Sequence, residues 1–176
     1  MKQLFLFLFT ITFLFTQACT STSKENTNEA KKDTKVEESK KSTTTKIKKG
    51  AIHLTKAEFL EKVANYEKTP DKWIYLGDKP CIIDFYADWC RPCKIAGPIL
   101  EELAVEYQED IYVYKINTEH ERELASAFGI RSIPAFLFCP KDGTPQMSNG
   151  IAKTNEETKQ MFKGIIDEFL LGKKVN

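Results

Sequence analysis

The spacing of apolar residues changes several times along the chain, and each change predicts an element. Leu4 to Phe15 is an apolar run interrupted by Thr10 and Thr12. From Thr20 to about Lys49 the residues are mostly Ser, Thr, Lys, Glu and Asn, with Ala30, Val36 and Ile47 as isolated apolar positions. Such a stretch cannot bury enough surface to offset the entropy of ordering it, which predicts a disordered, mixed-charge tether.

A different pattern begins at Ala51. Ala51 to Leu54 predicts a short strand, and Thr55-Lys56-Ala57-Glu58 has the form of a capping box. Phe59, Leu60, Val63 and Tyr66 then follow at helical spacing. Residues 81 to 87 form a near-continuous β-prone apolar run, the pattern of a strand covered on both faces. Between Cys90 and about Gln108, Ile95, Ile99, Leu103 and Tyr107 recur every fourth residue, predicting a helix with a kink at Pro98.

Ile111 to Ile116 predicts the next strand, and Thr118 to Phe128 a short helix with Thr118 and Glu121 in capping-box register, closed by Gly129. Ala135 to Cys139, a turn at Lys141-Asp142-Gly143, and Gln146 to Ile151 predict an antiparallel hairpin. A last helix is capped by Thr154 with Glu157, and its buried stripe is Met161, Phe162, Ile165, Ile166, Phe169 and Leu170. Alternating elements followed by a hairpin point to one α/β domain over residues 50–176, with a mixed central sheet and helices on both faces.

Charge adds little to this picture. The 26 basic and 25 acidic side chains leave a formal net charge of +1, so the overall field gives no reason to expect nucleic acid as a partner. The N-terminus says more. Lys2, the apolar run, and small residues at Thr16 and Ala18 have the form of a signal peptide over residues 1–18. A transmembrane anchor is the alternative, but the run is well short of the roughly 20 apolar residues that span a bilayer.

Cys19 follows immediately, and the arrangement resembles a bacterial lipoprotein signal, in which the cysteine becomes the lipidated first residue of the mature chain. Ala18 fits that pattern, and Thr16 and Gln17 depart from it. Cleavage at Ala18 leaving an ordinary thiol is the other reading. With lipidation, residues 19–49 would hold the domain away from a membrane surface.

The chemistry centres on Trp89-Cys90-Arg91-Pro92-Cys93-Lys94. A thiolate attacks a disulfide to form a mixed disulfide, and a second thiol one helical turn away can resolve it. Cys90, at the helix start, is the expected nucleophile. Free N–H groups, the helix dipole and the charges of Arg91 and Lys94 would lower its pKa below that of a free thiol. Zinc normally needs a second ligand pair, whereas Cys81, Cys139, His53 and His120 are isolated, so no metal is expected. A bridge closing so short a loop also constrains the unfolded chain little, which argues against a purely structural disulfide.

The run Asp84 to Lys94, with Pro98, resembles the active-site segment of thioredoxins. Lys115-Ile116-Asn117, Gly129 to Pro134, and Gly150 resemble later segments of the same family, so the similarity covers roughly Ala51 to Gly172. The resemblance implies a thioredoxin fold and thiol:disulfide exchange at Cys90 and Cys93 without a bound cofactor. It implies that Asp84 is buried with a raised pKa and takes the proton of Cys93, with Lys115 as its partner. From the residues alone, Asp84 could be a strand-end acid and Lys115 a solvated charge.

The same resemblance makes Pro134 a cis-proline beside Cys90, with Trp89, Arg91, Pro92, Ile133 and Gly150 completing a substrate surface to which Tyr86 also contributes. Core packing explains Tyr86 and Trp89 equally well. Cys81 and Cys139 fall on strands that the family places side by side, as two buried free thiols or as a second disulfide.

Where thioredoxins usually carry Gly-Pro between the cysteines, this chain has Arg91-Pro92, a change expected to make the disulfide easier to reduce. The expectation is a protein-disulfide reductase in the bacterial cell envelope. It would face the periplasm, be lipid-anchored through Cys19, act on exported proteins with disulfides, and be re-reduced by a membrane thiol-reducing donor. Its rivals are a net oxidase or isomerase, and a non-catalytic peptide-binding or chaperone module.

Overall fold

Alternation along the strands decides which residues meet which helices. The structure, a computed structural model, describes residues 50–174. The expected signal peptide, the tether and Cys19 lie outside the described residues. Five strands, β1 (Ile52–His53), β2 (Cys81–Tyr86), β3 (Tyr112–Asn117), β4 (Ala135–Cys139) and β5 (Gln146–Asn149), form one sheet in the order β1-β3-β2-β4-β5. β3 runs parallel to both β1 and β2, whereas β2–β4 and β4–β5 are antiparallel, so the sheet is mixed.

Successive side chains of a strand point to opposite faces. On one face, Ile82, Val113, Phe136 and Phe138 pack against Ile99, Leu100 and Leu103 of helix α2 (Arg91–Glu106) and Phe162 of helix α4 (Asn155–Gly164). On the other, Cys81, Ile83, Phe85, Tyr114, Ile116 and Leu137 pack with Phe59 of helix α1 (Lys56–Lys62) and Leu124 of helix α3 (Arg122–Ala127). β2, hydrogen-bonded on both edges and covered on both faces, is the continuous apolar strand read from the sequence.

Two of the three expected capping boxes form. Thr55 with Glu58 starts α1, and Thr154 with Glu157 starts α4, each side chain satisfying the other's backbone N–H. The third does not form. α3 begins at Arg122, and the Thr118 hydroxyl donates instead to the Tyr86 carbonyl oxygen at 3.1 Å. The Glu121 carboxylate is engaged across space by the Lys56 backbone N–H at 2.9 Å. Tertiary partners thus displace the local pairing.

Two predicted stripes also need correction. Ile95, one turn into α2, is exposed, and Ala96, Ile99, Leu100, Leu103, Ala104 and Tyr107 make the buried side. Of the last helix's stripe, Phe162, Ile166 and Leu170 are buried and Met161, Ile165 and Phe169 flank them half-buried. α4 continues as a π-helical segment over Ile165–Leu170. The wider turn re-spaces the apolar positions. Strand β5 also ends two residues earlier than the hydrophobic pattern suggests, at Asn149.

Candidate active site

Cys90 is the N-cap residue of α2, in extended conformation at φ −73° and ψ 109°, and Pro92 sits in the first turn, where its missing N–H costs nothing. The Cys93 backbone N–H donates to the Cys90 Sγ at 3.2 Å. An orphan donor of the helix end is therefore aimed at that sulfur, the arrangement that favours a thiolate once the bond is reduced. Cys90 and Cys93 form a disulfide with an S–S distance of 2.06 Å. Both are buried, packed with Ala87, Tyr86 and Ile133, while Arg91, Pro92 and Lys94 are exposed around them.

Pro134 follows a cis Ile133–Pro134 peptide, as the resemblance implied. Its carbonyl oxygen accepts the Gly150 backbone N–H at 2.9 Å, and Gly150 has φ +78°, a conformation that favours glycine. Trp89, beside Cys90 in sequence, is 69% exposed. A large aromatic that contributes so little to the core is available to a docking protein chain.

The sheet supplies the second half of the site. Strand parity places Asp84 on the same face as Ile82, toward α2, where it is fully buried at 0% exposure. Its register partners are Lys115 on β3 and Phe136 on β4. Neither carboxylate oxygen has a hydrogen-bond partner. Burial raises the Asp84 pKa from the ordinary 3.8 to about 7; the Lys115 ammonium pulls it down, and the Glu101 carboxylate pushes it further up. Such an acid can exchange a proton near neutral pH.

Asp84, Lys115 and Cys93 line one cleft of about 520 Å³, together with Tyr86, Asp88, Lys94, Pro98 and Glu101. The structure thus brings Asp84, Lys115, Cys90 and Cys93 together. Lys115, however, does not hydrogen-bond Asp84: its Nζ lies 3.6 Å from Glu101 Oε1 and 5.2 Å from the centre of the Tyr86 ring.

Glu101 was not singled out in the sequence. Cys93, Gly97 and Glu101 recur every fourth residue and therefore share a face of α2, which is the signal that would have found it.

The family profile described as thioredoxin matches residues 50–163. A thioredoxin of Borreliella burgdorferi is 43% identical over 119 residues, which is 68% of this chain and 97% of that protein. The chain belongs to the thioredoxin family. The thioredoxin-T of Drosophila melanogaster is 41% identical over 76 residues, covering 43% of this chain and 48% of that protein. A chloroplastic M-type thioredoxin of Pisum sativum is 44% identical over 68 residues, covering 39% and 40%. Membership makes the protein a thiol:disulfide oxidoreductase with protein-disulfide reductase activity.

The thioredoxin domain carries two further cysteines away from this site. Cys81 and Cys139 are register partners across β2 and β4, both fully buried and free, on the sheet face turned away from α2. A hydrogen bond with Cys81 and burial both push the Cys139 thiol pKa up, so it stays protonated. His53 Nδ1 lies 3.3 Å from the Tyr86 hydroxyl, and among the described residues no group of three or more His, Cys, Asp or Glu could hold a metal ion.

Proposed function

We propose that this thioredoxin-family protein reduces or exchanges disulfides in exported proteins from a lipid anchor at Cys19, on the periplasm-facing side of the bacterial cell envelope. The observation that carries the chemistry is the Cys90–Cys93 pair at the start of α2, sharing its cleft with a buried, unpartnered Asp84. The apolar run Leu4 to Phe15, with Ala18-Cys19 shortly after it and then thirty polar-rich residues, supports the location.

The geometry supports the following steps. In the dithiol form the Cys90 thiolate attacks one sulfur of a client disulfide, forming a mixed disulfide and expelling the client's first thiolate. Cys93 then gives its proton to Asp84 and attacks the Cys90 sulfur. The Cys90–Cys93 disulfide forms, the second client thiolate leaves, and the two thiolates take up two protons. Two electrons pass from the dithiol to the client. Trp89, Arg91, Pro92, Ile133, Pro134 and Gly150 form the surface against which an extended client segment lies. Re-reduction requires a membrane thiol-reducing donor, because an oxidising compartment supplies none.

The direction is tested by the reduction potential of the full chain in dithiothreitol and glutathione buffers. A potential close to the thioredoxin level of about −270 mV supports the reductase, whereas about −180 mV points to an isomerase and about −120 mV to an oxidase. Cys19→Ala should move the protein from the membrane to the soluble fraction; unchanged membrane association would exclude the lipid anchor.

A further inference from the structure

In the cleft beneath the cysteines, the basic residue expected to pair with the buried acid is held by something else. Lys115 Nζ rests between Glu101 Oε1, at 3.6 Å, and the face of the Tyr86 ring, while both oxygens of Asp84 are left without a partner. Glu101 is itself fixed. Its other oxygen, Oε2, accepts the Ala51 backbone N–H at 2.8 Å. A Cβ at residue 50 would stand 2.6 Å from that oxygen, so Gly50 is what allows the carboxylate to lie against the chain there. The carboxylate thus bridges the first residues of the domain and the lysine of the central sheet.

We propose that Glu101 is a positioning residue of the dithiol reaction: anchored on Ala51, it holds the Lys115 ammonium short of Asp84 and leaves the buried acid free to take the proton of Cys93. The inference rests on the assignment of Asp84 as that proton acceptor. A lysine hydrogen-bonded directly to Asp84 would lock it as a carboxylate and make it a weak base. An acid with no lysine nearby would stay protonated at neutral pH and could accept nothing. The intermediate distance imposed by Glu101 gives a group that changes state near the working pH.

The charged and titratable groups around Asp84 are few enough to test this. β3 contributes Lys115; α2 contributes Glu101, Lys94 and Cys93; Tyr86 and Asp88 come from the end of β2 and the residues after it; β4 presents Phe136 opposite. In the oxidised protein the cysteines are joined and do not titrate.

The experiment is carboxyl ¹³C NMR of Asp84 across pH in the oxidised full chain, with variants Glu101→Gln and Glu101→Asp. A glutamine oxygen can still accept the Ala51 N–H, so Glu101→Gln removes the charge and keeps the anchor. With that charge gone, Lys115 is released toward Asp84. The titration midpoint should fall by about one pH unit, a tenfold change in the acid's ionisation constant, and Glu101→Asp should recover most of it. The midpoint of the pH–rate profile for disulfide reduction should fall with it.

In a Lys115→Gln background the effect of Glu101→Gln should shrink to less than half, because the residue it positions is absent. An unmoved midpoint in Glu101→Gln, or a shift of full size without Lys115, overturns the inference and leaves the role of Asp84 intact. A pH–rate profile unchanged by Asp84→Asn overturns the role of Asp84 itself.

Discussion

Replacing Asp84 with Asn should change how the stability of the fold depends on pH. Both oxygens of Asp84 are buried without a partner, and burial lifts its pKa from 3.8 to about 7. The folded-state value is the higher one, so the unfolded chain ionises first as pH rises. Below about pH 4 both states are protonated and the acid costs nothing in charge. Between about pH 4 and pH 7 the unfolded ensemble gains from ionisation while the native state does not, and native stability declines. Above about pH 7 both are ionised and the loss levels off.

A gap of about three pKa units at roughly 1.4 kcal/mol each makes the full loss about 4 kcal/mol. The Asn variant lacks this titration. A buried amide has its own desolvation cost, but that cost is independent of pH over this range and displaces the whole curve. The diagnostic is therefore the slope. Urea unfolding of the oxidised full chain at half-unit steps from about pH 4 to about pH 8 should show the variant gaining on the parent by up to roughly 1.4 kcal/mol per pH unit, reaching a plateau above about pH 7. All other titrating groups are common to both proteins and cancel. Parallel stability curves would refute the claim that Asp84 titrates out of its normal range.

Cys93→Ser should leave Cys90 able to attack but unable to be released, so a mixed disulfide with a client protein accumulates and is read by intact mass; no trapped adduct would contradict the assignment of Cys93 as the resolving thiol. Phe162→Ala removes a fully buried ring that packs edge-on against Phe136 at 4.9 Å, and should cost about 3–5 kcal/mol of stability by urea unfolding, with a loss under about 1 kcal/mol showing that the α4 side of the core is not tightly packed.

Most of the architecture was legible because it depends on period. Cys81 to Ala87 reads as a central strand since every position is apolar except Asp84, and the same exception marks the acid. Thr55 with Glu58 and Thr154 with Glu157 are legible because each box closes within four residues. Thr118 with Glu121 has the same spacing and fails, because Tyr86 and Lys56, distant in sequence, take the two side chains. The π-helical close of the last helix could not be read, since paired apolar residues at 161–162, 165–166 and 169–170 satisfy either winding.

In the site, the cysteines and Asp84 stand out as residue types, whereas Glu101 looks like any acid on an amphipathic helix. What distinguishes it is a backbone N–H fifty residues away and a lysine on another strand. Partnerships of that kind are fixed by tertiary packing and have no one-dimensional signature.

The two kinds of cysteine in this domain answer to different clocks. Cys90 and Cys93 exchange with whatever redox couple reaches the start of α2, whereas Cys81 and Cys139 sit under the opposite face of the sheet with no accessible surface. An alkylating reagent reaches them only when the residues packed over that face, Phe59 and Leu124 among them, lift off the sheet. Modification at Cys81 and Cys139, followed peptide by peptide, therefore counts openings of that side of the core. One chain thus carries both a redox couple and an internal record of how often one side of its core opens.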